Sequence, residues 1–263
     1  MNAEAGRRLF LSLMGGVVVL AWVTLWVWEQ SPYGRYLSHG GLGTLELPEG
    51  PRDASLRAAL YVAGWLLMTV AMMLPTTLPL ITIFRRLVMP RGDGAQLLGL
   101  LIAGYLGVWL FFGLVAHLAD WMLHEALAQS AWLTAHAWAI GAGTLLLAGG
   151  FQFSSLKYRC LDKCRAPLSF VMERWRGSRE RWNAFALGMQ HGLFCVGCCW
   201  ALMLLMFGVG IGNVGWMLGL GAVMAIEKNL PWGRRLAAPL GIALIVWGLA
   251  IVVQVLVMDP GAA

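Results

Sequence analysis

Residues 58–84 read AALYVAGWLLMTVAMMLPTTLPLITIF, 27 positions without a single charged side chain. A helix rises about 1.5 Å per residue, so this run exceeds the roughly 20 residues needed to cross a ~30 Å hydrocarbon core. It also carries Met68, Met72, Met73, Pro75 and Pro79. Each proline removes an intrahelical hydrogen bond, and inside a bilayer such a break is tolerated only where neighbouring helices or a cavity satisfy it. The run therefore predicts a spanning helix that packs among others.

The rest of the chain repeats the pattern. Apolar runs at approximately 9–28, 58–84, 97–119, 132–153, 184–207, 209–226 and 236–257 predict an all-α bundle of about seven transmembrane spans. Over the whole chain 59% of residues are hydrophobic and 12% charged, against roughly a quarter charged in soluble domains. At this length the chain makes one integral membrane domain, 1–263, without room for a separate soluble one. The boundary between the fifth and sixth runs, a short glycine-rich turn, is the least sharply marked.

Loop charge sets the expected orientation. Arg7 and Arg8, then Arg85, Arg86 and Arg91, then Lys157, Arg159, Lys163, Arg165, Arg174, Arg176, Arg179 and Arg181, and finally Lys228, Arg234 and Arg235 all fall on one side, leaving only Arg35, Arg52 and Arg57 on the other. The basic side is the cytoplasmic one by the positive-inside rule. The expectation is a multi-pass inner-membrane protein with its N-terminus in the cytoplasm and the lipid bilayer as its first partner. The net charge of +6 is thus a topology signal and not a nucleic-acid footprint. Arg7-Arg8-Leu9-Phe10-Leu11 faintly resembles a twin-arginine signal. The run that follows is long, holds Trp22, Trp26 and Trp28 and has no small-residue cleavage site, as a retained span would. The outer loop around His39 offers little chemistry. Gly208-x-x-x-Gly212 and Gly215-x-x-x-Gly219 would permit close helix approach, within the chain or in a homodimer.

All five cysteines lie between Cys160 and Cys199. None falls in an expected outer loop, which argues against a disulfide framework. The sharpest cluster is His191-Gly-Leu-Phe-Cys195-Val-Gly-Cys198-Cys199-Trp200. At about 100° per helical residue, His191, Cys195, Cys198, Cys199 and Met206 fall within an arc of about 100°. A lone membrane cysteine is usually a small hydrophobe; three with a histidine on one face indicate metal or redox chemistry. Thiolate and imidazole suit Cu(I) and Zn(II) alike, and a neutral complex with either is compatible with burial. The softer thioethers of Met68 and Met72, on one face with Pro75, favour a copper ion, with zinc as the alternative. Methionine is also a common gap-filler, so packing is the competing account. Cys160-Leu-Asp-Lys-Cys164 places two thiols at i, i+4, and the flanking Lys157, Arg159, Lys163 and Arg165 favour thiolate and metal capture; an interfacial amphipathic segment is the plainer account. Glu227 is expected to pair with an arginine of the fourth loop or simply to mark the interface.

These motifs carry a resemblance. Gly150-Phe-Gln152, Leu156-Lys157, Cys160-Leu-Asp-Lys-Cys164-Arg165-Ala-Pro167, His191-Gly192 through Cys195-Val-Gly197-Cys198-Cys199-Trp200, Asn213, Trp216-Met217, Glu227-Lys228 and Met68 with Ala71-Met72-Met73-x-Pro75 together resemble a bacterial domain-of-unknown-function family of predicted metal-binding integral membrane proteins. The resemblance runs from the second span to the sixth. Relatives tend to have methionine where Gly212 precedes Asn213 here. The resemblance implies that the cysteines are functional.

The function expected is copper handling, by transport or by delivery to a metallochaperone or metalloenzyme partner, through an intramembrane Cys/His site, and not enzymatic turnover. The main alternative is a membrane thiol–disulfide oxidoreductase using Cys195, Cys198 and Cys199. A metallo-oxidase would want more histidines, and a scaffold would leave the cysteines merely packed. No Walker-type loop or serine-hydrolase elbow is present, which argues against an ATP-driven pump.

Overall fold

The computed structural model describes residues 3–31, 51–175, 179–209 and 213–258, and among them helices joined by short turns are the sole regular structure. The order is α1 (Ala3–Gln30), α2 (Pro51–Val88), α3 (Gly94–Gln129), α4 (Ala131–Ala135), α5 (Trp138–Phe151), α6 (Ser155–Arg165), α7 (Pro167–Arg174), α8 (Glu180–Val209), α9 (Val214–Asn229), a 3-10 turn at Gly233–Leu236 and α10 (Ala237–Met258). Residues 32–50 with Arg35 and His39, together with Arg176 and Gly212, lie outside the described residues.

Five helices are long and apolar enough to cross a membrane: Arg8–Gln30, Ala59–Val88, Gly94–Gln129, Glu180–Met206 and Gly233–Val257. A sixth is available if Trp138–Phe151 and Ser155–Arg165, bent by 62° to one another, count as one broken span. The expected fourth run, 132–153, is thus divided between α4 and a 14-residue α5. The expected sixth run starts later, as the 16-residue α9. The first break falls at His136 and Ala137, after the short α4 that Ser130 caps by accepting a hydrogen bond from Leu133 N; Ser154 then caps α6 by accepting one from Lys157 N, and Asn213 caps α9 by accepting one from Trp216 N. Such caps satisfy amides that a new helix start leaves open.

The helices form a hierarchy. In α2 and α8, 56% of the residues in the apolar window are buried, against 11% in α1 and 17% in α10. The two central helices are therefore the ones that carry the methionine run and the Cys/His stripe. α8 packs against α3, α5 and α6, α2 against α1, α3 and α9, and α10 against α5.

Small residues set the spacing within the chain, although Gly215 and Gly219 are not among them. A Cβ built on Gly219 would meet nothing within 4 Å, and one on Gly215 only Asn213 Oδ1 at 3.4 Å. The close approaches are elsewhere. A Cβ at Gly188 of α8 would collide with the Leu101 carbonyl of α3, and one at Gly104 of α3 with the Phe185 carbonyl of α8. A Cβ at Gly149 of α5 would lie 2.8 Å from Gly241 O of α10. Backbone-to-backbone contact of this kind is the usual basis of helix association in lipid.

Gly188→Ala is expected to destabilise the bundle by about 1–3 kcal/mol or more, because the obstructing atom is backbone and has little room to move. Gly99→Ala, where a Cβ would meet nothing within 4 Å, is the control and should be close to neutral. Thermal unfolding in detergent, followed by tryptophan fluorescence, distinguishes them; equal melting points would argue against the close α3–α8 contact.

Candidate metal centre

Cys195, Cys198 and Cys199 of α8 are each about 1% exposed, and Met206 two turns further on is fully buried. The stripe expected from helical periodicity therefore faces inward. α6 folds back against α8 and brings Cys160 and Cys164 to the same place. A Cβ on Gly197 would lie 2.6 Å from Cys160 Sγ, so the glycine at that position is what lets α6 close. Cys164 is buried in the same core cluster as Cys195 and Cys198. All five cysteines are free thiols, and all five are buried in one core cluster. The pair expected on a cytoplasmic surface segment is instead part of the interior.

The thiols are individually anchored. Cys198 and Cys199 both donate to the Cys195 carbonyl, at 3.0 and 2.9 Å. The Cys195 sulfur is 3.1 Å from the Tyr105 hydroxyl and 2.9 Å from Lys228 Nζ. His191 lies one turn earlier on the same helix, 3% exposed, between the rings of Tyr105 and Phe170 at 5.9 and 5.5 Å. Its Nδ1 has no hydrogen-bond partner among the described residues.

The methionines divide. Met68, Met72 and Met73 are all buried. Met72 packs over Gly221 of α9, with its Cε 3.6 Å from where a Cβ would be. Met73 instead reaches the thiol end, its Sδ 3.8 Å from Lys228 Nζ. Its carbonyl accepts from Thr76, Thr77 and Tyr105 at 2.8, 3.1 and 3.4 Å. Pro75 is half-buried and lines a shallow groove of about 460 Å³ with Pro79, Ile83 and Asn229.

Glu227 pairs with Lys157 of α6, at 2.8 Å and with side chains 2% and 0% exposed. The partner comes from the expected loop but is a lysine; Arg165 of the same helix donates to the Glu227 backbone carbonyl and, at 2.9 Å, to Pro231 O. An exposed ion pair, Arg234 with Asp162 at 3.1 Å, adds a further link from α6 to the segment after α9. Tyr105, Met73, Thr76 and Lys228 were not singled out as site residues from sequence. The available signal was the resemblance, whose motifs include Met73 and Glu227-Lys228, although Lys228 itself read as a loop cation just past the apolar run 209–226.

The donor set is soft: five thiols, neighbouring thioethers and one imidazole. Such a set fits a soft monovalent or thiophilic ion. Among the described residues, however, no three His, Cys, Asp or Glu side chains already form a ligand shell. The sulfurs are gathered but turned to backbone carbonyl, hydroxyl and ammonium partners.

Removing one member of the Lys157–Glu227 pair should leave an uncompensated charge in an apolar interior. Glu227→Gln is expected to cost about 3–5 kcal/mol, and the double variant Lys157→Met, Glu227→Leu to recover much of that loss. Unfolding midpoints of the three proteins in detergent test this; a Glu227→Gln protein as stable as the parent would rule out the pair as a structural tie.

Against known proteins, residues 62–251 match the family model PpoB2, described as copper chaperone. No curated protein matches the chain, and no solved structure does.

Proposed function

The chain belongs to the PpoB2 copper-chaperone family, and from that premise we propose that it binds Cu(I) inside a membrane-embedded helical bundle and passes it to a partner. The observation that carries this reading is the convergence of five buried free thiols from α6 and α8 on one cluster. Cu(I) favours thiolate and thioether donors, and one thiolate with neutral ligands makes a complex without net charge, the form that burial in lipid tolerates best.

In this scheme His191, Cys195, Cys198 and Cys199 hold the ion. Cys160 and Cys164 are the first ligands on the way in, because α6 lies at the basic end of the bundle, which is cytoplasmic by the positive-inside rule. Met68 and Met72 are weaker neutral donors further along α2, suited to exchange. Ligand exchange along a gradient of donor strength lets the ion leave as well as enter, the requirement common to all conducted or delivered ions. The receiving protein is a soluble metallochaperone or a metalloenzyme. Against the oxidoreductase alternative stands the burial of every thiol, since thiol–disulfide exchange needs an attacking sulfur to reach its partner.

Protein purified in detergent under reducing conditions should carry near-stoichiometric copper by mass spectrometry, and the His191→Ala, Cys195→Ser, Cys198→Ser variant should have lost it. Zinc in place of copper would redirect the assignment to a zinc site. Absence of metal together with a disulfide trapped among Cys195, Cys198 and Cys199 would overturn it in favour of the oxidoreductase.

A further inference from the structure

Lys228 sits among the sulfurs. Its Nζ lies 2.9 Å from Cys195 Sγ, 3.8 Å from Cys199 Sγ, 3.8 Å from Met73 Sδ and 3.5 Å from Thr76 Oγ1. The side chain is buried, with 6% exposed. The adjacent carboxylate, Glu227, is committed to Lys157, and among the described residues no carboxylate pairs with Lys228. A buried ammonium is costly unless its donors are satisfied, and here the groups within its reach are sulfurs and a hydroxyl, with Cys195 Sγ the nearest.

We propose that Lys228 is a place-holder cation: its ammonium occupies the position that Cu(I) takes among Cys195, Cys199 and Met73. This deepens the copper reading above and rests on it. Three observations converge. The Nζ contacts sulfurs from two different helices, α8 and α2, at one point. The gathered thiols do not form a ligand shell while the ammonium is there. The lysine also has somewhere to go: it lies in the last turn of α9, beside the exposed Asn229, and a flexible four-carbon stem can carry its charge to the interface.

Loading is then an exchange of one monovalent cation for another. The buried charge is the same before and after, which a divalent ion at the same position would not achieve. Met73, and not Met68 or Met72, supplies the thioether at this position, because it alone of the three reaches the ammonium.

The test uses the full chain in detergent under anaerobic, reducing conditions, with Cu(I) delivered from a bicinchoninate complex. Lys228→Gln and Lys228→Met remove the competitor while leaving the sulfurs, so both should bind Cu(I) at least roughly tenfold more tightly and release it more slowly. A merely structural counter-ion predicts the opposite, weaker binding. A second measurement needs no variant: acetylation of wild-type Lys228 by an N-hydroxysuccinimide ester, read by mass spectrometry, should rise when Cu(I) is bound. Copper binding through Cys195 with neither effect overturns the place-holder and leaves the copper site standing. A wild-type protein that binds no Cu(I), or a Cys195→Ser protein that binds it equally well, overturns the copper reading and the place-holder with it.

Discussion

A positive charge inside an apolar bundle has to find its counter-charge inside the bundle as well, because no water is there to supply one. The end of α9 carries two buried charged residues in succession, one with a counter-charge and one among sulfurs. Glu227 turns to Lys157 of α6, and Lys228 turns to Cys195 of α8 and Met73 of α2. Neighbouring residues on a helix point about 100° apart, so the Glu-Lys dipeptide addresses two different sides of the bundle. One short helix thereby ties together the three segments that carry the sulfur donors. If α6 were not drawn in by Glu227, Cys160 and Cys164 would have no reason to leave the surface, since their helix is otherwise rich in charge.

The close approach of α3 and α8 serves the same centre. Gly104 and Gly188 let the two backbones meet, and Tyr105, next to one of these glycines, then reaches Cys195 from α3 with its hydroxyl. Gly192 and Gly197 continue the small-residue face of α8: a Cβ at the first would crowd Val108 and Tyr105, and at the second Cys160. Glycines within the Cys/His motif are thus spacing elements. They explain why thiols from α6 and a hydroxyl from α3 converge on a helix whose own cysteines span little more than one turn.

How much of this was legible in the sequence follows the range of the forces involved. Helical periodicity is local, so the shared inward face of His191, Cys195, Cys198 and Cys199 could be read directly, as could the long apolar helices. Span number was less legible, because hydropathy averages over windows and does not register a break such as that at His136 and Ala137, or a cap such as Asn213, within an apolar stretch. The fold-back of α6 was not legible: its charged composition describes a surface helix, and tertiary contacts, the buried pairing of Lys157 with Glu227 and the Arg165 bonds to Glu227 O and Pro231 O, reverse that. Lys228 looked like an interface marker for the same reason. Of the methionines, the sequence singles out Met68 and Met72 by their spacing, whereas the choice of Met73 depends on where the lysine of another helix ends.

The arrangement also bears on how a sulfur-rich site can let go of its ion. Thiolates bind soft metals tightly, and five thiols with nothing to oppose them would make a store. Here each of the α8 sulfurs has an existing partner that a bound ion must displace: the Cys195 carbonyl for Cys198 and Cys199, and the Tyr105 hydroxyl and Lys228 ammonium for Cys195. Hydrogen bonds to charged partners are worth more than neutral ones, so the ammonium is the strongest of these competitors. Every such partner subtracts from the affinity for the ion by the strength of the bond it regains when the ion departs. A chaperone needs that reduced affinity, because its partner has to win the ion from it; in the scheme proposed above the carbonyl and hydroxyl stay in place and the lysine swings back, so that each bond is available to re-form when the ion departs.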